Sequence, residues 1–375
     1  MQIGIDISRI ATAARTGTEQ YTFELLGAIA RADSATPFVL YCNRPPAELP
    51  PLGANFRLRS LPFGRLWTHA RLSAEVLRAP PDVLFVPAHV LPLATPLVRR
   101  MRAVVTVHDM GYLRYPAAHT RGQRLALRLT TIWSVRVATR VIAISGATRD
   151  DLVQLARIDP QKITVIHHGV AARFSAPVSA ADAARARAIA GDGPYLLYVG
   201  TVQPRKNLER LIESLARVGD LPARTEYGEA PPPRLLIAGK RGWLAEPIER
   251  RAAALGIADR VVFSGYVADA ELPALYAGAL AFVFPSLYEG FGMPILEAMA
   301  AGAPVLTANS SALPEVAGDA ALLVDPHDTD AIAGGLQRLI GDPALRAQLR
   351  AAGAARVKKF TWDACAAATL DLLRR

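Results

Sequence analysis

The sequence predicts an α/β protein built from two doubly wound domains that face each other across a cleft. Three observations carry this. Short apolar runs of strand character alternate with amphipathic helical stretches, and the alternation occurs as two successive series. A small-residue stretch punctuated by Pro and Gly separates the series. At 375 residues the chain is too long for one ordinary core.

Taken in order, the first series has strands expected at Ile3 to Ile7, Phe38 to Cys42, Phe56 to Leu61, Val83 to Pro87, Ala103 to Val107, Val141 to Ile144 and Ile163 to His167. Helices are expected at Glu19 to Arg31, Gly122 to Thr139 and Ala147 to Arg157. Residues 1–170 form the first domain on this reading, and 171–194 an interdomain linker with a short helix. In the second series, strands are expected at Tyr195 to Val199, Leu235 to Ala238, Val261 to Ser264, Ala281 to Phe284, Val305 to Ala308 and Leu322 to Val324. Helices fall at Leu208 to Val218, Leu244 to Ala254, Ala270 to Ala277, Pro294 to Ala301 and Asp328 to Ile340. The second domain then spans 195–355, with 219–233 a surface insertion. Residues 356–375 form a terminal helix that must bury its Leu372-Leu373 face, expected across the interdomain boundary.

Composition excludes several classes. Half the residues are hydrophobic, against global disorder. The two cysteines, Cys42 and Cys365, make neither a metal set nor a disulfide framework and fit a reducing compartment. Met1 to Ile7 runs straight into a strand, so no secretory signal is expected, and no apolar stretch reaches the roughly 18 residues that span a bilayer. A cytoplasmic protein, soluble or peripheral to the membrane, is the expectation.

The net charge of +10 calls for an anionic partner. The arginines lean to the first half, among them Arg65, Arg71, Arg78, Arg99, Arg100, Arg102, Arg121, Arg124 and Arg128, with Trp67 and Trp133 nearby. No zinc-finger spacing, RNA-recognition signature or long basic helix accompanies them, so nucleic acid is not the expected partner. An anionic membrane face or a phosphorylated lipid explains the charge at least as well, and a merely solvated basic surface also remains open.

Ligands of doubly wound sheets bind at the carboxyl ends of the strands, so the residues that follow strands carry the functional signal. After the first strand comes Arg15-Thr16-Gly17-Thr18, where Gly17 can admit a diphosphate; there is no GxGxxG, so a nicotinamide-type reading is weak. After Val107 come His108 and Asp109, a His able to hydrogen-bond a sugar hydroxyl or polarise a reacting group and an Asp able to orient a substrate on the acceptor side. A packed or capping His fits the local pattern as well. His167-His168-Gly169 reads as structural.

In the second series, Tyr195 to Val199 runs into Gly200-Thr201-Val202-Gln203-Pro204-Arg205-Lys206-Asn207. Paired cations before a helix suit a diphosphate, Arg through its planar fork and Lys as a point charge. After Phe284 comes Glu289-Gly290-Phe291-Gly292-Met293-Pro294-Ile295-Leu296-Glu297. Gly290 and Gly292 keep this loop bare, Pro294 opens a helix whose N-terminal dipole attracts anions, and Glu289 and Glu297 can accept hydrogen bonds from hydroxyls. A Glu near a helix start is also common because the dipole favours it.

With these residues assembled, the chain resembles the retaining glycosyltransferases of family 4 with the GT-B fold. The match rests on Tyr198-Val199-Gly200-Thr201, Pro204-Arg205-Lys206-Asn207, Phe263-Ser264-Gly265-Tyr266-Val267 and the Glu289 to Glu297 segment, which fits that family's E-x7-E motif. The resemblance implies a nucleotide-sugar donor held mainly by the second domain. Glu289 would contact hydroxyls of the transferred sugar and Glu297 the ribose. Lys206, with Arg205, would neutralise the leaving diphosphate; Gly200 and Thr201 would line it, Thr201 standing where many members have Arg. Gly290, Phe291, Gly292 and Met293 would cradle the sugar and phosphate, and Val267 would meet the nucleobase. From the first domain Gly17 would let the diphosphate approach and His108 would face the reacting sugar. No Asp-x-Asp stands at a strand end, so no cofactor and no essential metal are expected. The Gly-Thr-x-x-Pro-Arg-Lys-Asn form resembles bacterial mannosyltransferases of surface polysaccharide assembly, which implies GDP-mannose as donor ahead of UDP- or dTDP-sugars. A lipid-linked saccharide would be the acceptor, met at the inner face of the cytoplasmic membrane. A nucleotide-sugar epimerase, a phosphorylase and a non-catalytic sugar-nucleotide-binding protein are the rival readings.

Overall fold

The computed structural model describes residues 1–11, 17–64, 66–116, 121–226, 228–243 and 245–375; of the positions singled out above, Arg15, Thr16, Arg65, Leu244 and the side chain of Arg121 lie outside the description. The chain divides into two compact units, Met1–Gly169 with Phe360–Arg375, and Val170–Lys359.

The first unit contains strands β1 (Ile3–Asp6), β2 (Phe38–Cys42), β3 (Phe56–Ser60), β4 (Val83–Val86), β5 (Arg102–Val107), β6 (Arg140–Ala143) and β7 (Ile163–Val165). They form one sheet in the order β3-β2-β1-β4-β5-β6-β7, and every pairing is parallel. Its helices are α1 (Gly17–Ala32), α2 (Ser73–Arg78), α3 (Gly111–Arg114), α4 (Arg121–Val137) and α5 (Gly146–Ala156). Central strands β1, β2 and β4 are buried along their whole length, because helices cover both faces of a parallel sheet and a continuous apolar run is what such a strand requires. The edge strand β3, Phe-Arg-Leu-Arg-Ser, has no fully buried residue, Arg57, Leu58 and Ser60 being exposed and Phe56 and Arg59 half-buried.

The second unit repeats the plan with β8 (Tyr195–Val199), β11 (Arg234–Ala238), β12 (Val261–Gly265), β13 (Ala281–Phe284), β14 (Val305–Ala308) and β15 (Ala321–Val324), in the order β12-β11-β8-β13-β14-β15. A separate hairpin pairs β9 (Ala223–Thr225) with β10 (Gly228–Ala230). The helices are α6 (Ala180–Ala190), α7 (Leu208–Val218), α8 (Ala245–Ala254), α9 (Leu272–Gly278), α10 (Met293–Ala300), α11 (Leu313–Ala317), α12 (Thr329–Gly341) and α13 (Pro343–Val357). In α7, Leu208, Leu211, Ile212, Leu215 and Val218 recur at helical spacing and are all buried, so one stripe of the helix is turned inward, and α7 packs on α12 and α8. Side-chain caps set several helix starts: Ser179 accepts from the Asp182 N–H and Asp342 from the Leu345 N–H.

The observed partition differs from the sequence reading at 171–194 and adds detail at 219–233 and at the terminal helix. The 171–194 stretch is not a free linker: it belongs to the second unit, where α6 packs on α9. The 219–233 insertion is structured by its hairpin, whose turn is closed by Thr225 Oγ1 donating to the Gly228 carbonyl at 2.9 Å, with Ala223 fully buried and the Arg346 guanidinium donating to the Arg224 carbonyl. The last helix, Trp362–Arg374, is a component of the first unit and packs on α1.

That terminal helix is held by specific chemistry. Thr361 Oγ1 caps it, accepting from the Ala364 N–H at 3.1 Å. Arg374 reaches Asp33 at 2.6 Å, and Arg102 donates to the Leu373 carbonyl at 2.8 Å. Trp362 is buried and stacks on His168 at a centroid distance of 5.8 Å, with Tyr21 at 6.0 Å. Gly169 is required beneath it, since a Cβ there would come within 2.1 Å of the Trp362 nitrogen. Trp362→Ala is therefore expected to cost about 3–5 kcal/mol of unfolding free energy, read by denaturant titration; a change within experimental error would show that the helix is not anchored at this residue.

Candidate active site

In an open α/β sheet the place where strand order reverses leaves a crevice at the strand carboxyl ends. In the second unit the reversal lies between β8 and β13, each of which neighbours the other in the sheet. The loops leaving these two strands are Gly200 to Asn207 and Pro285 to Gly292. Both of the sequence's strongest motifs fall on them.

The two loops are joined by charge. Lys206 Nζ lies 2.5 Å from Glu289 Oε1, and Arg205 Nη1 lies 3.4 Å from Glu289 Oε2. The side chains are 11% (Lys206), 17% (Arg205) and 10% (Glu289) exposed, so the pair interacts in a medium that screens weakly. Burial pushes the Glu289 carboxyl up, but the Lys206 and Arg205 charges outweigh it and hold the group below the usual carboxylate range. Glu289 is thus an anion here. Its backbone is held as well, the N–H donating to Ser311 Oγ at 2.9 Å.

Local geometry explains why these residues sit where they do. Pro204 opens a single 3-10 turn over Pro204–Lys206, and Asn207 ends it in the left-handed region at φ 62°, which Asn tolerates better than other side chains. The Asn207 amide then donates to the carbonyls of Pro285 (3.0 Å) and Pro326 (2.7 Å). Gly200 has φ +150°, and a Cβ there would lie 2.7 Å from the Tyr198 hydroxyl. Gly292, the residue before α10, has φ +102°, and a Cβ would lie 2.8 Å from Leu313. Neither position accepts a side chain, because the space a Cβ would take is filled by Tyr198 at Gly200 and by Leu313 at Gly292.

The remaining second-unit candidates surround this pair in sequence and sheet order. Thr201 follows Gly200, whose N–H donates to the Ala238 carbonyl at 2.9 Å, tying the loop to β11. Gly290 and Phe291 lead to Gly292 and Met293, the first residue of α10, with Phe291 buried. Glu297, one turn into α10, accepts a hydrogen bond from the Tyr276 hydroxyl at 2.9 Å. Val267 is buried after β12, beside the half-exposed Tyr266, whose ring has Lys240 Nζ at 4.8 Å. Tyr276 and Ser311 carry no local signal in the sequence. Asn207 stands there only as the last member of Pro-Arg-Lys-Asn, and its place at a helix start is the one hint of its part in shaping the turn.

In the first unit the strand order reverses between β1 and β4. His108 follows β5, next to β4, and is buried, with Nε2 3.0 Å from the Pro87 carbonyl. Nε2–H therefore donates and Nδ1 keeps the lone pair. Burial, reinforced by the neighbouring His89, pushes His108 down to about 3, so the ring is neutral at physiological pH. His89 Nε2 accepts from the His108 backbone N–H at 3.2 Å. His168 stacks on Tyr21 at 4.5 Å and is likewise held neutral by burial. Asp109 Oδ1 accepts from the Gly111 N–H at 2.8 Å and so fixes the turn into α3, a structural task beside the acceptor role expected of it. Gly17 is exposed at the start of α1, with nothing within 4 Å of where a Cβ would stand. Among the described residues no three or more His, Cys, Asp or Glu cluster as a metal site would need.

The sequence matches two family descriptions: glycosyltransferase family 4 over residues 15–174, and glycosyl transferases group 1 over residues 180–356. It is 32% identical over 275 residues to the O-antigen chain mannosyltransferase B of Escherichia coli, covering 73% of this chain and 70% of that one. It is 33% identical over 288 residues to a D-inositol 3-phosphate glycosyltransferase of Streptomyces avermitilis, covering 74% of this chain and 60% of that one. Among solved structures, sucrose-phosphate synthase from Thermosynechococcus elongatus superposes with a TM-score of 0.78 at 24% identity, covering 100% of this chain and 98% of that one. WaaG, a glycosyltransferase involved in lipopolysaccharide biosynthesis, gives 0.73 at 17% identity, with 99% of each chain covered.

The buried neutral imidazoles set a pH dependence. A histidine whose folded pKa is depressed gives stability that is complete above the unfolded value near 6.5 and is lost as pH falls below it, because the unfolded state takes up the proton first. For His89, His108 and His168 the direction is the same. For His108, held down to about 3, the cost is expected to reach roughly 1.4 kcal/mol one pH unit below 6.5. The melting temperature should fall as pH drops below 6.5, and less steeply in His108→Gln; a pH-independent melt over that window would contradict the neutral assignment.

Proposed function

The chain belongs to glycosyltransferase family 4, enzymes of the GT-B fold, and from that premise we propose that it moves a hexose, with mannose favoured, from a nucleoside diphosphate sugar to a saccharide or lipid-linked saccharide acceptor with retention at the anomeric carbon. The observation that carries this reading is the Lys206–Glu289 pair at the strand-order reversal of the second unit, just ahead of α10. A diphosphate entering there meets the Lys206 ammonium and the positive end of a helix dipole beside two glycine loops. As Lys206 turns from Glu289 to phosphate oxygen, it releases the carboxylate to accept from sugar hydroxyls. Glu297, already oriented by Tyr276, takes the ribose hydroxyls, and the Val267 backbone meets the base.

The chemistry follows from where charge grows. When the bond from the anomeric carbon to the phosphate oxygen breaks, the sugar becomes positive and the diphosphate gains negative charge, so a preorganised cation at the phosphate lowers the barrier. The acceptor hydroxyl then forms the new bond on the same face and passes its proton to the departing phosphate oxygen. This needs neither a protein nucleophile nor a metal. His108 is assigned a hydrogen bond from a saccharide hydroxyl to its Nδ1 lone pair, which a neutral ring offers and an imidazolium does not.

An inner-membrane surface is the proposed working place. On α4, Leu125 and Leu129 stand 58% and 61% exposed with Arg124 and Arg128 beside them, and no acidic residue occurs from 110 to 149. Exposed Leu interleaved with Arg fits an anionic bilayer face. Among the described residues no helix is long and apolar enough to cross a membrane. The chain is expected to co-sediment with phosphatidylglycerol vesicles at low salt and to release as salt rises. Absence of binding at every salt concentration would contradict this partner.

The activity itself is tested by incubating the full chain with GDP-mannose, UDP-glucose and dTDP-glucose in EDTA, with and without lipid-linked saccharide, and measuring nucleoside diphosphate release. Acceptor-dependent release from one donor is expected, and Lys206→Ala should lower it about a hundredfold. Donor epimerisation without nucleotide release would favour an epimerase, and near-normal turnover in Lys206→Ala would overturn the role given to that lysine. Loss of activity in EDTA that Mg2+ restores would overturn the metal-free mechanism.

A further inference from the structure

Resting on the reading of the second unit as the donor site, we propose that Arg205 is a positioning residue that straps the Glu289 loop in place, and not a second cation on the diphosphate. The geometry is a set of three contacts from one residue to three consecutive residues of the facing loop. The Leu287 N–H donates to the Arg205 carbonyl at 3.0 Å. Arg205 Nη1 donates to the Tyr288 carbonyl at 2.5 Å and lies 3.4 Å from Glu289 Oε2. A carbonyl and a carboxylate lying side by side suit a planar guanidinium with several fixed donors, whereas a single ammonium cannot span them in the same way.

The Pro-Arg-Lys-Asn quartet thereby divides its labour. Pro204 makes the turn, Lys206 meets the near oxygen of Glu289, Asn207 holds the Pro285 carbonyl, and Arg205 holds Tyr288 and the far oxygen of Glu289. Two of the four side chains are thus committed to fixing residues 285–289. The consequence concerns the moment when Lys206 exchanges Glu289 for a phosphate oxygen. A carboxylate this buried, left with no cation, would be driven towards protonation and a new rotamer. Arg205 remains on its other oxygen, so Glu289 stays ionised and aimed at the sugar while Lys206 serves the phosphate. Charge on the diphosphate from second-unit side chains next to Glu289 then falls to Lys206, which agrees with Thr201 lacking any charge.

The test compares Arg205→Gln, Arg205→Lys and Lys206→Ala in the full chain, with folding checked by circular dichroism. Three readouts are needed: the Kd of GDP and of UDP by calorimetry, amide hydrogen exchange across 287–292, and the split between kcat and KM. Both Arg205 variants are expected to speed exchange across 287–292 at least about tenfold and to lower kcat roughly a hundredfold by misplacing Glu289. Neither should change the nucleotide Kd by more than about threefold, whereas Lys206→Ala should. Added to Glu289→Gln, Arg205→Gln should have little further effect on kcat. A Kd weakened about tenfold or more in Arg205→Gln and recovered in Arg205→Lys, with exchange unchanged, would make Arg205 a diphosphate ligand and overturn the proposal. Unchanged exchange with near-normal kcat would overturn it too. If Arg205→Gln does not fold, Arg205→Lys alone decides, since a ligand role predicts recovery and a strap does not. If the wild type turns over no nucleotide sugar, the functional reading fails, while the exchange measurement still judges the strap.

Discussion

A buried carboxylate between two cations is the constraint on which the second unit's strand-end architecture turns. Glu289 is about nine-tenths buried, and an isolated anion at that depth would be neutralised by its own desolvation. It remains charged because Lys206 and Arg205 reach it from the loop of a different strand. That requirement fixes much else. The loops after β8 and β13 must leave neighbouring strands, which the parallel order β8-β13 provides. They must also be shaped by residues without side chains or with unusual backbone angles, which Gly200, Asn207 and Gly292 provide. An ion pair of this kind is weak evidence of stability in itself, because replacing it with packed apolar groups is often neutral or better. On the proposed reading the pair at the reversal point of the sheet serves an exchange, in which one cation leaves the carboxylate for an incoming anion and the other stays.

The first unit solves a different problem with a similar sheet. Around its strand ends stand His89, His108 and His168, with Tyr21 packed edge-on to His108 and stacked on His168. Burial keeps these rings neutral, so the rings themselves offer hydrogen-bonding faces and apolar edges, with Asp109 and Arg9 near enough for their charges to act on His89 and His108. Neutral donors and acceptors suit saccharide hydroxyls, and ion-paired cations suit a diphosphate. The terminal helix, which returns to the first unit through Trp362, Arg374 and Leu373, stacks on this aromatic group through His168.

Much of this was legible in the residues. Strands such as Phe38–Cys42, Tyr195–Val199, Ala281–Phe284 and Val305–Ala308 have the bounds expected from sequence, because a strand covered on both faces leaves a continuous apolar run ended by Pro, Gly or polar residues. The amphipathic helix Leu208–Val218 was equally plain. The family was legible from the Glu289 to Glu297 segment with its flanks, and the matches over 15–174 and 180–356 agree with it. What could not be read was pairing between distant positions. Sequence assigned Lys206 to phosphate and Glu289 to sugar, but the 2.5 Å contact between residues 83 apart in the chain has no local signature. The same holds for Tyr276 on Glu297 and Ser311 on the Glu289 amide, at separations of 21 and 22. The 171–194 stretch misled because its small, Ala-rich composition lacks a strong apolar stripe, although Ala186 and Ala190 bury one face of α6 in the second unit.

The central claim is that Lys206 is shared between Glu289 and the donor's diphosphate, and the most direct measurement is a crystal structure of the full chain with an unreactive nucleotide-sugar analogue. The account predicts that the analogue lies against the loops after β8 and β13, with Lys206 Nζ moved from Glu289 Oε1 to a phosphate oxygen and Glu289 facing sugar hydroxyls. An analogue bound elsewhere, or bound there with the Lys206–Glu289 contact still closed, would contradict it.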